Sequence, residues 1–183
     1  MSFEFNPTRI DDVVVIEPEV YEDERGFFLE SYDQDEFADN GLPTDFVLEF
    51  YSQSKQGVVR GLHHQTHPYR QAKIVRCFDG EIFDVAVDVR PDSDTFGEYI
   101  SHRLSSENKH ALYIPRGFLH GFATLSSSAV VHYKLDNQYA PAHERGVRWD
   151  DPEIGIDWPV DSPIVSEKDQ QWPVLQESIY VRN

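Results

Sequence analysis

Short apolar runs separated by turn residues pattern the chain from end to end. Residues 13–16 predict a strand and 27–30 a second one. Residues 33–40 set Phe37 among acids and stop at Asn40-Gly41, which predicts a short helix. Extended runs follow over 46–52, 58–63 and 72–78. Asp79-Gly80 supplies the positive φ of a tight hairpin turn and leads into 81–89. There Phe83, Val85, Val87 and Val89 share one face and Asp84, Ala86 and Asp88 the other, which predicts a core face and a face nearer water. Further strands are predicted over 99–104 and 111–114, and over 122–125 and 130–135 about a Ser-rich turn. Over 130–135, Tyr133 shares a face with Val131 and Leu135, leaving His132 and Lys134 outside. Over 72–78, Lys73 shares a face with Val75 and Cys77. If those are the core faces, a phenol and an ammonium project into one cavity.

Beyond Tyr139, Pro152, Pro159, Pro163 and Pro173 stop long elements, so an irregular wrap with a short helix near 167–170 is expected. About ten short strands with hairpin turns fit an all-β jelly roll, whose facing sheets leave room for a cavity. No repeat, low-complexity tract or linker divides the 183 residues, and 1–183 reads as a single domain.

Charge and cysteine usage narrow the classes. A net charge of −17 argues against nucleic acid and anionic membrane as general partners. It fits either a high-salt setting or an ordinary acidic protein. One cysteine, Cys77, excludes an internal disulfide and suits a core position in a reducing compartment. The first twelve residues lack a basic and apolar leader pattern, and no apolar run reaches the roughly 18 residues of a spanning helix. A soluble, cytoplasmic protein is the expectation.

Against that acidic background, residues 58–75 gather Arg60, His63, His64, His67, Arg70 and Lys73. A cationic, imidazole-rich island suits an anionic ligand with a general base beside it. Lys73 lies in the apolar run Ala72-Lys73-Ile74-Val75, and a buried ammonium is costly without a partner or a task. The turn Pro115-Arg116-Gly117 feeds His120 into a strand, a spacing similar to the second motif of the cupins. Metal-binding cupins pair that histidine with a His-x-His in the first motif. Here the pair is His63-His64, and adjacent strand residues face opposite ways. His67 could join from a loop, so a metal-dependent cupin stays an alternative.

The whole arrangement resembles a metal-free, cupin-like family, the dTDP-4-dehydrorhamnose 3,5-epimerases. The likeness is carried by Val58 through Gln65, Gln71-Ala72-Lys73, Gly80 through Arg90, Ile114 through Phe122 and Trp149-Asp150-Asp151-Pro152. Tyr21 through Phe28 and Ser166-Glu167-Lys168-Asp169 extend it to both ends. The resemblance implies a double-stranded β-helix with short peripheral helices and no cofactor. It implies inversion of C3 and C5 of dTDP-4-keto-6-deoxyglucose, whose C4 ketone acidifies both flanking protons. His63 matches the base and Asp169 its orienting carboxylate. Tyr133 matches the acid on the opposite face, and Lys73 with His120 the groups that stabilise the enolate oxygen. Arg60 matches a diphosphate ligand, while Arg25, Glu30, Glu144 and Lys168 match further substrate contacts and Tyr139 a stacking partner for the base. The family's homodimers complete each site with the neighbour's N-terminal segment, so Arg25 and Glu30 would act in trans.

Two departures stand out. Leu48-Glu49-Phe50 replaces the family's usual Gln-Asp-Asn, which leaves the nucleotide base preference open, and His64 replaces a common aromatic. The double epimerisation of dTDP-rhamnose biosynthesis leads. A 3- or 5-monoepimerase for another deoxysugar, a metal-dependent cupin enzyme and a non-catalytic sugar-nucleotide binder are the alternatives.

Overall fold

The computed structural model describes residues 2–180. Two sheets face each other. The first runs β1 (Phe3–Pro7), β2 (Val14–Pro18), β10 (Ala111–Ile114), β7 (Lys73–Asp79), β12 (Ser128–Leu135) and β5 (Leu48–Lys55). The second runs β13 (Glu144–Gly146), β6 (Val58–Gln65), β11 (Phe118–Thr124), β8 (Glu81–Asp88) and β9 (Tyr99–Ser105), and β14 (Ile164–Val165) joins β6 in parallel. A separate hairpin, β3 (Val20–Asp23) and β4 (Gly26–Leu29), stands apart from both. The all-β jelly roll expected from the turn spacing is therefore present, with peripheral helices of one or two turns.

The core lies between the sheets. Val75 and Cys77 from β7 meet Val131, Tyr133 and Leu135 from β12, and across from them Ile82, Ala86, Phe118 and Phe122 of the second sheet. Alternation along β12 is as read, because every second residue from Ala129 to Leu135 is buried. Cys77 is a free thiol in this core.

The reading of β8 needs correction. Asp84, Ala86 and Asp88 do not face water; all are fully buried. That face looks into the sandwich, while Val85 and Val87 on the other face are covered by Leu175, Ile154 and Tyr180 of the C-terminal wrap. With protein on both sides, alternation no longer marks a wet face. On the far side of the first sheet, Phe37 packs beneath Phe3, Ile16 and Ile74.

Two short helices have clear local causes. Asp33 Oδ1 accepts from the backbone N–H groups of Asp35 and Glu36, both at 2.9 Å, and so starts α1 (Gln34–Asp39). Ser166 Oγ accepts from Asp169 N at 3.1 Å and starts α2 (Glu167–Gln170), which fixes Asp169 behind β6. Among the described residues no helix is long and apolar enough to cross a membrane.

Candidate active site

A cavity of about 190 Å³ opens between the two sheets. The second sheet contributes Arg60 and His63 from β6 and His120 and Phe122 from β11. The first contributes Phe50 and Ser52 from β5, Lys73 from β7, and Tyr133 and Leu135 from β12. His64, Gln65, Gln71 and Gly121 also border it, with Glu144, largely covered, and Tyr139, exposed at the rim.

Arg60 and His63 lie three residues apart, a spacing that in a regular strand sends side chains to opposite faces. Both nevertheless line the cavity. The β6–β11 register pairs His63 with His120 but Arg60 with Phe122, so β6 carries one extra residue there. Gly61 sits in that bulge at φ +118°, and a Cβ on it would meet Gly121 Cα and His120 O, each at 2.6 Å. Only glycine allows the two strands to approach so closely. His64, one residue on, turns to the C-terminal wrap, where its Nε2 lies 2.9 Å from the Tyr180 hydroxyl. The two adjacent histidines thus diverge, as the strand period requires.

His63 Nδ1 lies 3.8 Å from Glu144 Oε1. Burial and the Lys73 cation push its pKa down to about 4, against the charges of Asp169 and Glu144. The ring is therefore neutral near pH 7 and able to accept a proton. Glu144 is itself tied, accepting from Lys168 Nζ at 2.7 Å and from the Tyr139 hydroxyl at 2.8 Å. Asp169 is buried and its charge favours the His63 imidazolium. Its oxygens accept from Gly61 N at 3.3 Å and Trp172 Nε1 at 3.4 Å; among the described residues no hydrogen bond joins it to His63.

On the opposite wall the Tyr133 phenol is buried but lines the cavity, and burial raises its pKa. Phe50 stacks on it at 4.7 Å between ring centres and His120 meets it edge-on at 5.9 Å. Burial brings the Lys73 ammonium down to about 8, while Asp84 and Glu144 favour its charged form. His120 Nε2 lies 2.7 Å from Asp84 Oδ1, and burial holds the imidazole below its ordinary pKa despite that carboxylate.

Asp84 went unassigned on sequence because it reads as one polar position in an alternating strand; an acid within Ile82-Phe83-Asp84-Val85-Ala86 was its only signal. Lys168 reaches the site through Glu144, beyond the cavity wall. Arg25 and Glu30 belong to neither wall. Arg25 is exposed at the tip of the β3–β4 hairpin, bound to Asp23 at 2.5 Å, and Glu30 follows β4. Among the described residues no group of three His, Cys, Asp or Glu side chains is placed to hold a metal ion.

The family model described as dTDP-4-dehydrorhamnose 3,5-epimerase matches residues 7–177. The chain belongs to the dTDP-4-dehydrorhamnose 3,5-epimerase family. It is 50% identical over 180 residues to the dTDP-4-dehydrorhamnose 3,5-epimerase of Methanothermobacter thermautotrophicus, covering 97% of each chain. The structure of dTDP-6-deoxy-D-glucose-3,5-epimerase from Legionella pneumophila, in complex with dTDP-4-keto-L-rhamnose, superposes with a TM-score of 0.93. That likeness has 41% identity and covers 96% of this chain and 94% of the other. A dTDP-4-dehydrorhamnose 3-epimerase of Streptomyces niveus is 41% identical over 173 residues, covering 94% of this chain and 84% of its own. This chain is thus an enzyme, an epimerase of the isomerase class. The Leu48-Glu49-Phe50 segment lies on β5, where Phe50 stacks on Tyr133. Glu49 is drawn to Lys134 Nζ at 2.7 Å, and Phe50 forms a cavity wall without hydrogen-bonding groups.

Proposed function

We propose that this epimerase inverts both C3 and C5 of dTDP-4-dehydro-6-deoxy-D-glucose, giving dTDP-4-dehydro-β-L-rhamnose. The observation that carries the reading is that His63 and Tyr133 line one cavity from facing sheets, with Lys73 on the same wall as the phenol. Neutral His63 takes the proton from the carbon beside the ketone. The electron pair moves onto the C4 oxygen, where the Lys73 ammonium and His120 stabilise the enolate. Tyr133 then delivers a proton to the opposite face of the carbon, and the configuration inverts. Asp169 and Glu144 favour the imidazolium formed on the way. Arg60, whose Nε donates to Ser54 Oγ at 3.0 Å, binds the diphosphate. Tyr139 stacks on the base, and Glu144 and Lys168 hold the substrate at the rim.

The hairpin supports a homodimer. Tyr21, Phe27 and Phe28 are 46%, 60% and 60% exposed there. So large an apolar display on a two-stranded element fits a partner surface. Arg25 and Glu30 then serve the neighbour's site. The setting proposed is the cytoplasm, in keeping with the free thiol of Cys77.

The test is incubation with dTDP-4-keto-6-deoxyglucose in D2O, read by NMR. Solvent deuterium at both C3 and C5 is expected. Label at one carbon alone would favour a monoepimerase, the reading that the Streptomyces niveus relative keeps in view.

A further inference from the structure

The outer face of the first sheet carries a cation without a counter-charge. On β7, Val75 and Cys77 point into the sandwich, so Ile74, Arg76 and Phe78 take the other face. Arg76 is only 6% exposed, and its Nε and Nη2 are buried with no hydrogen-bond partner. Nη1 is also without a partner among the described residues, but it is not sealed in, so a carboxylate can meet it there. Burial lowers the Arg76 pKa to about 10, and no neighbouring acid opposes the shift. A buried guanidinium without an anion is costly, so the position calls for one.

The surface around Arg76 is open. Its register partner on β12, His132, stacks on Phe78 at 4.8 Å and 15°. His132 is in turn paired with Tyr51 on the edge strand β5, and paired residues of antiparallel strands present side chains to one face. Toward β1 this face is covered, because α1 lays Phe37 over Ile16 and Ile74. Toward β5 it is bare, with Tyr51 75% and Phe78 55% exposed. Glu49, the acid on this side, is held by Lys134 at 2.7 Å and His132 at 3.7 Å.

The same chain carries the complement. The β3–β4 hairpin displays the rings of Tyr21, Phe27 and Phe28. Asp23 is tied to Arg25, whereas the exposed carboxylates of Glu22 and Glu24 make no hydrogen bond or ion pair among the described residues. We infer that the outer face of the first sheet between β7 and β5 seats the hairpin of a second copy of this chain, with Glu22 or Glu24 reaching Arg76. A two-fold axis lets each copy give one hairpin and receive the other. The inference rests on the homodimer reading and supplies the surface that receives the hairpin. Two chains of net charge −17 repel, and a guanidinium at the contact offsets that repulsion.

Sedimentation of the full chain over a range of concentrations tests the seat. The wild type is expected to dimerise, and Phe78→Glu and Arg76→Gln to raise the dimer Kd about tenfold or more. Phe78→Glu alters an exposed ring and serves if the Arg76 variants do not fold. Charge exchange then identifies the contact. Arg76→Glu chains and chains carrying both Glu22→Lys and Glu24→Lys are each expected to dimerise weakly alone. Mixed, they should form a heterodimer at about the wild-type Kd, because each seat then holds one cation and one acid. A wild-type Kd in Phe78→Glu and Arg76→Gln, or weakened chains that do not recover on mixing, would overturn the seat and leave the dimer standing. A wild-type chain that stays monomeric would overturn the homodimer reading and this inference with it.

Discussion

The Asp84 carboxylate, fully buried on β8, reaches His120 Nε2 at 2.7 Å and is also the largest charge favouring the Lys73 ammonium. One acid thus fixes the imidazole and supports the cation that faces the developing enolate. Replacing it with Asn keeps the shape but removes the charge. Burial then acts on Lys73 with less opposition, and its pKa falls further.

The pH profile tests this. Neutral His63 and protonated Lys73 coexist between about 4 and about 8, and kcat/KM is expected to hold within those limits. Activity falls below the window as His63 protonates and above it as Lys73 loses its proton. In Asp84→Asn the alkaline limb should move to lower pH and kcat should drop about tenfold or more. An alkaline limb that stays in place would separate Asp84 from Lys73.

Much of this site was legible beforehand, and the parts that were not have physical causes. Alternation placed Tyr133, Val131 and Leu135 inward, and Lys73 with Val75, because the opposite face of β12 is half-exposed. The same rule failed on β8, where the C-terminal wrap covers one face and the sandwich the other, so Asp84 passed for a wetted acid. The bulge at Gly61 does not follow from the hydrophobic pattern either. A glycine inside a strand was its one mark, and without it Arg60 and His63 cannot share a wall. Strand β1, Phe3–Pro7, is not marked in the sequence, because its burial is slight and its pattern short.

We expect the Leu48-Glu49-Phe50 segment to bear on nucleotide preference. Phe50 covers Tyr133 but offers no hydrogen bond, and Leu48 is also apolar. Restoring amides with Leu48→Gln and Phe50→Asn should lower KM for the dTDP-sugar several-fold and sharpen discrimination against the UDP-sugar. Steady-state kinetics with both nucleotides would show it. An unchanged preference would mean that this segment does not read the base.

The exposed hairpin predicts sharing between subunits. His63→Ala and Arg25→Ala chains, each inactive alone, should regain activity when mixed and refolded together. Half of the dimers would be mixed and one of their two sites intact, giving about a quarter of the wild-type rate. Recovery of nothing would place Arg25 in its own subunit's site or in none.

In the proposed reaction His63 and Tyr133 act from opposite faces of the same carbon. Tyr133→Phe and His63→Gln incubated with dTDP-4-keto-6-deoxyglucose in D2O test it most directly. Tyr133→Phe is expected to carry deuterium into C3 or C5 with configuration retained, since the base still removes a proton and returns one to the same face, while His63→Gln exchanges nothing. Inversion by Tyr133→Phe at the wild-type rate, or exchange by His63→Gln, would contradict it.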